Sequence, residues 1–348
     1  MTLKLIRVGI VGLGGNCRAR HVPGLRACPG VEIAAVANRR RESTRAAADE
    51  FAIPKTFDRW EDLVADPEID AVLIGTWPYL HCLITLAALA AGKHVLCEAR
   101  MAMNAAEARA MLASSRSRTD LVCQLVPSPL GLRADRVVKQ LLGSGFLGEL
   151  REIVVLATSD VLADAGTPLS WRQSAVLSGV NMLTLGIVHE TLLRWVPPPV
   201  QVQAQAHAFT RQRLDPASGM LVPVGTPDSV QAVTVHEGGA RGLYHISGVT
   251  HFGPGTQIHL YGSEGTLKYE LSPHDRLWEA RRGESELREI PVPPDQEYAW
   301  RVEEEFIAAI RGEGKVAFTD LATGVRYMEF TEAVATSAAT GLRQLLGQ

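Results

Sequence analysis

The residue types and spacing with the clearest chemical use lie near the start of the chain, in Gly12-x-Gly14-x-x-Cys17. The pattern suits a pyrophosphate. Gly12 lets an incoming strand turn sharply, Gly14 has no side chain to hold a phosphate off the backbone, and Gly15 and Asn16 complete the turn. Position 17 lies where the following helix presses on the strand, so it must be small, and Cys17 is close to the usual Gly or Ala. The helix itself aims N–H groups and its positive dipole end at phosphates. An ordinary strand–turn–helix corner can carry the same glycines. Here an apolar run (Val8, Ile10, Val11) comes first and a helical segment follows, the order that a dinucleotide site requires.

The end of the next strand chooses between nicotinamide cofactors. An acidic residue there would bind both adenine-ribose hydroxyls and repel a 2′-phosphate. This chain has Asn38-Arg39-Arg40-Arg41 instead. Asn38 can bond a phosphate oxygen and Arg39 can pair with its charge, so NADP(H) is expected, with NAD(H) the alternative. The competing reading is three solvated arginines opening a helix. Other chemistries find less support. His245, His251 and His259 lie on segments broken by Gly and Pro with no carboxylate at ligand spacing, and none of the five Cys forms a CxxC pair, so no metal is expected. A serine nucleophile elbow and a phosphate-binding lysine loop are both missing from the sequence.

These groups need elements to hold them, and 348 residues are enough for two domains, each with a core. Residues 7–126 alternate strand and helix with short connections, the pattern of a doubly wound parallel sheet. Ala71–Thr76 is a continuous apolar run and reads as a central strand buried on both faces. A helix to Ala91 closes at Gly92, and Asn104 caps the helix after the strand His94–Glu98. Residues 1–126 therefore form the expected dinucleotide-binding domain, and 127–348 the substrate and oligomerisation domain, its final helices free to pack back on the first. Within 200–291, apolar-alternating runs such as Ser229–His236 read as antiparallel strands. A large sheet with one face bare of helices calls for a second subunit, so a homo-oligomer is expected. Hydrophobic residues at 46%, charged at 21% and a net charge of −3 point away from nucleic acid and membrane surfaces. An odd number of scattered Cys, no apolar run near 20 residues and a strand starting almost at Met1 lead to the expectation of a cytoplasmic protein.

Thr76-Trp77-Pro78-Tyr79-Leu80-His81 and Ala90-Ala-Gly-Lys-His-Val-Leu-Cys-Glu98-Ala99-Arg100 together resemble the Gfo/Idh/MocA (glucose–fructose oxidoreductase, inositol dehydrogenase, rhizopine catabolism) family. The resemblance runs on through Arg151–Val155, Trp171-Arg172, the glycine hairpin 258–266, Glu303–Ile310, Asp320 and the final Ala-rich helix. It implies a Rossmann domain followed by an open, mainly antiparallel sheet with helices on one face. It also implies association through that sheet as a homodimer or homotetramer, and NAD(P)-linked chemistry on a sugar, polyol or related small molecule. Thr76, Trp77, His81 and Glu98, with Trp171 and Arg172, then fall to the cofactor. His81 is read as packing beside the nicotinamide end rather than as an acid or base.

The chain departs from that family where protons move. Hydride transfer needs a base for the neighbouring hydroxyl proton and a cation to hold the oxygen. The family's strand ends in Glu-Lys-Pro, whereas here Glu98 is followed by Ala99 and Arg100. Alanine can move no proton, and Arg100 can orient a substrate but stays protonated. The family's Asp-x-Gly-x-His-x-x-Asp helix aligns with Thr184, Gly186, Val188 and Thr191, and His189 comes one residue late, about 100° around the helix. The expected acid–base set is therefore His189 with Thr184, Asn181 and Arg100, against the plainer reading that His189 and Glu190 fill a helix face. Two other functions stay open: a non-redox enzyme using nicotinamide transiently, and a catalytically impaired cofactor-binding protein.

Overall fold

The computed structural model describes residues 4–347. The chain divides into two compact units, Met1–Pro127 with Arg301–Val325, and Ser128–Trp300 with Arg326–Gln348. In the first unit six strands form one parallel sheet: β1 (Ile6–Val11), β2 (Val31–Ala37), β3 (Lys55–Thr56), β4 (Ala71–Ile74), β5 (His94–Cys97) and β6 (Cys123–Leu125), in the order β3-β2-β1-β4-β5-β6. The central strand β4 is apolar along its whole length because helices cover both faces, and Val8, Ile10, Val72, Leu73, Val95 and Leu96 are buried. Asn104 caps the helix Ala105–Ser117 by accepting a hydrogen bond from the Glu107 N–H at 2.9 Å. Gly92 closes the helix Pro78–Ala90 at φ +76°. The returning helix Val302–Arg311 packs on the helix Val22–Ala27, and Gly24 makes room for Glu303, whose carboxylate a side chain at 24 would strike.

The second unit is built on a nine-stranded sheet. Its strands are β7 (Leu150–Thr158), β8 (Pro199–His207), β11 (Ser229–His236), β12 (Arg241–Ser247), β13 (Thr256–Gly262), β14 (Gly265–Ser272), β15 (Arg276–Arg281), β16 (Arg288–Ile290) and β17 (Gln344–Leu345). They lie in the order β16-β15-β14-β13-β7-β12-β11-β8-β17, and every pairing is antiparallel except β7 with β12. A separate hairpin joins β9 (Gln212–Leu214) to β10 (Leu221–Pro223). Alternate residues Val155, Val202, Val230, Tyr244, Ile258 and Leu267 point to one face. They form a core there with Val138, Leu185, Val188, Phe330 and Val334 from the covering helices. On the other face Val233 and Leu243 are exposed. Among the described residues, no helix is long and apolar enough to cross a membrane.

Candidate active site

The glycine turn is assembled from the C-terminal ends of β1, β2, β4 and β5, the edge at which parallel α/β sheets bind ligands. Gly12, at φ +85°, donates its N–H to the Ala37 carbonyl at 2.8 Å, and Gly75 donates to Val11 at 2.8 Å. A methyl at Gly12 would meet the Thr76 backbone N at 2.7 Å, and one at Gly75 would strike the Cys17 sulfur. Two strand ends and a helix therefore touch without side chains between them. Gly14, Gly15 and Asn16 are exposed, and a methyl at Gly15 would have nothing within 4 Å. Beside the turn, the buried Thr76 hydroxyl has no hydrogen-bond partner among the described residues. An open glycine cradle next to an orphaned hydroxyl fits a dinucleotide phosphate. Cys17 backs the turn from inside. Burial, aided by the Glu98 charge, pushes its thiol up to about 12, so it packs and does not react.

The structure gives Asn38 two backbone partners. Its Oδ1 accepts the Leu13 N–H at 2.7 Å and its Nδ2 donates to the Ser43 carbonyl at 3.0 Å. Asn38 is thus a brace between the glycine turn and the start of the next helix, with one amide N–H left for a ligand. Arg39 and Arg40 are exposed and have no ion-pair partner among the described residues, whereas Arg41 pairs with Asp58 at 3.1 Å.

Behind the turn lies a cluster that the residue spacing did not reveal. Glu98, at the end of β5, accepts from His21 Nε2 at 2.9 Å, from Asn16 Nδ2, and from the Ala99 N–H at 3.1 Å. The other ring nitrogen of His21, Nδ1, bonds Glu303. Burial works against charge at both His21 and Glu98, and the mutual hydrogen bonds outweigh it. His21 rises to about 9, and Glu98 falls below its ordinary value. Glu98 is therefore a held carboxylate and a poor acid.

His81 lies beneath the turn. It is fully buried, with Nδ1 against the Arg100 carbonyl at 2.8 Å and Nε2 against the Thr76 carbonyl at 3.0 Å, and burial lowers its pKa. It ties the end of β4 to the chain after β5. Trp77 precedes the helix Pro78–Ala90 with its ring 6.5 Å from that of Tyr79, and Arg100 is buried in the first unit. Trp171 and Arg172 form a short turn in the second unit, the guanidinium 4.3 Å from the Trp171 ring centre.

The remaining acid–base candidates belong to the second unit. Thr184 is exposed at the start of the helix Leu185–Leu192, and Asn181 is buried, its Nδ2 donating to the Ser178 carbonyl at 2.6 Å. The expectation for His189 gives way. Its ring stacks on Phe330 at 3.7 Å and Nδ1 meets the Tyr244 hydroxyl at 3.0 Å. Burial holds it well below the ordinary histidine value, so it is a neutral core residue. Its neighbour Glu190 is likewise structural, pairing with Arg194 at 3.0 Å and accepting the Ser128 N–H at 2.7 Å. No group of three or more His, Cys, Asp or Glu among the described residues is arranged to hold a metal.

Comparison with known proteins agrees with this architecture. Residues 6–124 match the Gfo/Idh/MocA oxidoreductase family's NAD-binding Rossmann fold, and residues 136–268 match that family's C-terminal domain. A 1,5-anhydro-D-fructose reductase of Ensifer adhaerens is 28% identical over 96% of this chain and 97% of its own. A trans-1,2-dihydrobenzene-1,2-diol dehydrogenase of Sus scrofa is 30% identical over 70% of this chain and 68% of its own. The apo form of a levoglucosan dehydrogenase superposes with a TM-score of 0.87, at 23% identity over 99% of this chain and 100% of that one, a likeness of fold. The chain belongs to the Gfo/Idh/MocA family of oxidoreductases, and residues 6–124 are its NAD-binding Rossmann fold.

Proposed function

We propose that the chain is an NADP(H)-preferring oxidoreductase acting on a sugar, a polyol or a related cyclic alcohol or carbonyl compound. The observation that carries the cofactor choice is the end of β2. No carboxylate stands there to repel a 2′-phosphate, and two exposed arginines, Arg39 and Arg40, have no ion-pair partner among the described residues. The substrate class is supported by the relatives, whose names describe a cyclic dihydrodiol and an anhydro sugar. Bound nicotinamide would supply or accept the hydride. Within the first unit, Arg100 is assigned to holding the substrate oxygen. Ala99 stands at the family's lysine position and moves no proton. That last feature favours a second reading, a cofactor-binding protein impaired in catalysis.

The test is a tryptophan-fluorescence titration with NADPH and NADH, followed by a turnover screen with sugars and polyols. NADPH should bind at least about tenfold tighter than NADH, and Arg39→Ala should remove about tenfold of that preference, the worth of one exposed charge on a phosphate. Tighter NADH binding overturns the cofactor choice, and binding without turnover selects the second reading. We also assign the exposed face around Val233 and Leu243 to a second copy of the chain, as a homodimer or homotetramer. Light scattering that returns a single copy would remove that assignment. The five unbridged cysteines suit a reducing compartment such as the cytoplasm.

A further inference from the structure

His21 is wholly buried, and each ring nitrogen faces a carboxylate, Nε2 on Glu98 at 2.9 Å and Nδ1 on Glu303. A neutral imidazole has one N–H, so two carboxylate acceptors call for the doubly protonated ring. The same oxygen of Glu98 that accepts from His21 also accepts from Asn16, and Asn16 belongs to the exposed glycine turn. Three elements meet here: the turn and its helix, the end of β5, and the helix Val302–Arg311.

We propose that His21 is a positioning residue for the glycine turn: its doubly protonated ring holds Glu98, Glu98 holds Asn16, and loss of one ring proton releases the turn. The direction of release follows from exposure. Glu303 keeps 4% of its side chain exposed and Glu98 keeps 13%, so Glu98 is the carboxylate with more room to move toward water. The neutral ring therefore keeps its proton on Nδ1 toward Glu303. Its Nε2 lone pair then repels the Glu98 carboxylate and faces Asn16 Nδ2, 3.5 Å away, so Asn16 loses its hold on Glu98. The other titratable groups nearby do not supply a rival charge. The Cys17 thiol, on the same helix, is pushed up to about 12, and His81, which acts on Glu98 from the helix Pro78–Ala90, is lowered by burial. The ring itself titrates at about 9, within reach of mildly alkaline solution. The consequence for cofactor affinity rests on the NADP(H) reading above, but the clamp does not.

The experiment is 13C NMR on protein labelled in His and Asn, without cofactor, titrated from pH 6 to 10.5, with NADPH affinity measured over the same range. In the wild type, the His21 Cε1 and Asn16 Cγ signals should move together with a midpoint near 9. Glu303→Gln should lower that midpoint by about one pH unit or more, because one of the two stabilising charges is gone. In His21→Gln the Asn16 transition should vanish. NADPH affinity should fall about tenfold across the transition in the wild type and stay flat in His21→Gln. A His21 midpoint near the ordinary 6.5, or an Asn16 signal that ignores His21, overturns the proposal, and the wild type alone decides both. Co-titration with no NADPH uptake at pH 7 upholds the clamp and rejects the cofactor reading instead.

Discussion

His21 in the first unit and His189 in the second are buried to the same degree, 0% and 1% exposed, and reach opposite charge states. Around His21 the neighbours are two carboxylates, which outweigh the cost of burial and keep the ring protonated. Around His189 they are the Phe330 ring, the Tyr244 hydroxyl and apolar core, and nothing offsets desolvation. Depth alone does not set protonation. The groups that face the ring do, and they also separate a residue able to transmit charge from one that fills space.

The largest effect should come from breaking the charged cluster. His21→Leu leaves Glu98 and Glu303 facing each other with no cation between them, and breaking a buried pair in this way costs about 3–5 kcal/mol. His189→Leu removes one neutral hydrogen bond from a site already apolar and should cost about 1–2 kcal/mol. Urea unfolding followed by circular dichroism reads both. Equal costs would mean that the ring at 21 carries no charge in the folded protein.

The pH dependence should separate the two histidines further, because the shifts have opposite signs. A raised His21 adds stability that is full below its unfolded value of 6.5 and is lost as pH rises through about 9. At about 1.4 kcal/mol for each pH unit, that limb is worth about 3 kcal/mol. A lowered His189 acts the other way. The unfolded chain gains a proton below 6.5 that the folded one refuses, so stability falls as pH drops from there. Thermal melts of the wild type should peak near pH 6.5 as far as these two groups decide it. His21→Gln should flatten the alkaline limb and leave the acid limb, and His189→Gln should do the reverse. A variant that alters the opposite limb would break the assignment.

What could be read in the sequence follows the range of each interaction. Gly12 and Asn104 act within a few residues of themselves, through a positive φ and a helix cap, and both stand where the local pattern puts them. The period-two run Ser229–His236 likewise delimits β11. The cluster at His21 was invisible because its partners lie 77 and 282 positions away and no local period links them. A histidine four residues after Cys17, on the helix face that meets the sheet, was the one available sign. Asn38 was located correctly, but its amide serves the backbone of the glycine turn, a use that residue type does not announce. For His189, sequence gives the position on a helix and not the face that the packing of Phe330 and Tyr244 selects.

The smallest effect lies inside the second unit and tests whether its histidine is as neutral as its surroundings require. Tyr244 is fully buried and its hydroxyl meets His189 Nδ1 at 3.0 Å. Tyr244→Phe alone leaves the ring nitrogen without that partner, and His189→Leu alone leaves the hydroxyl without it. Each single change should therefore cost about 1–2 kcal/mol, the penalty for an unsatisfied buried group. The double variant removes both polar atoms and should cost less than the sum by about 1 kcal/mol, a coupling that a double-mutant cycle resolves. A coupling several times larger would mean a charged ring at His189. The contrast with His21 would then be one of degree, and an acid–base role for His189 would return.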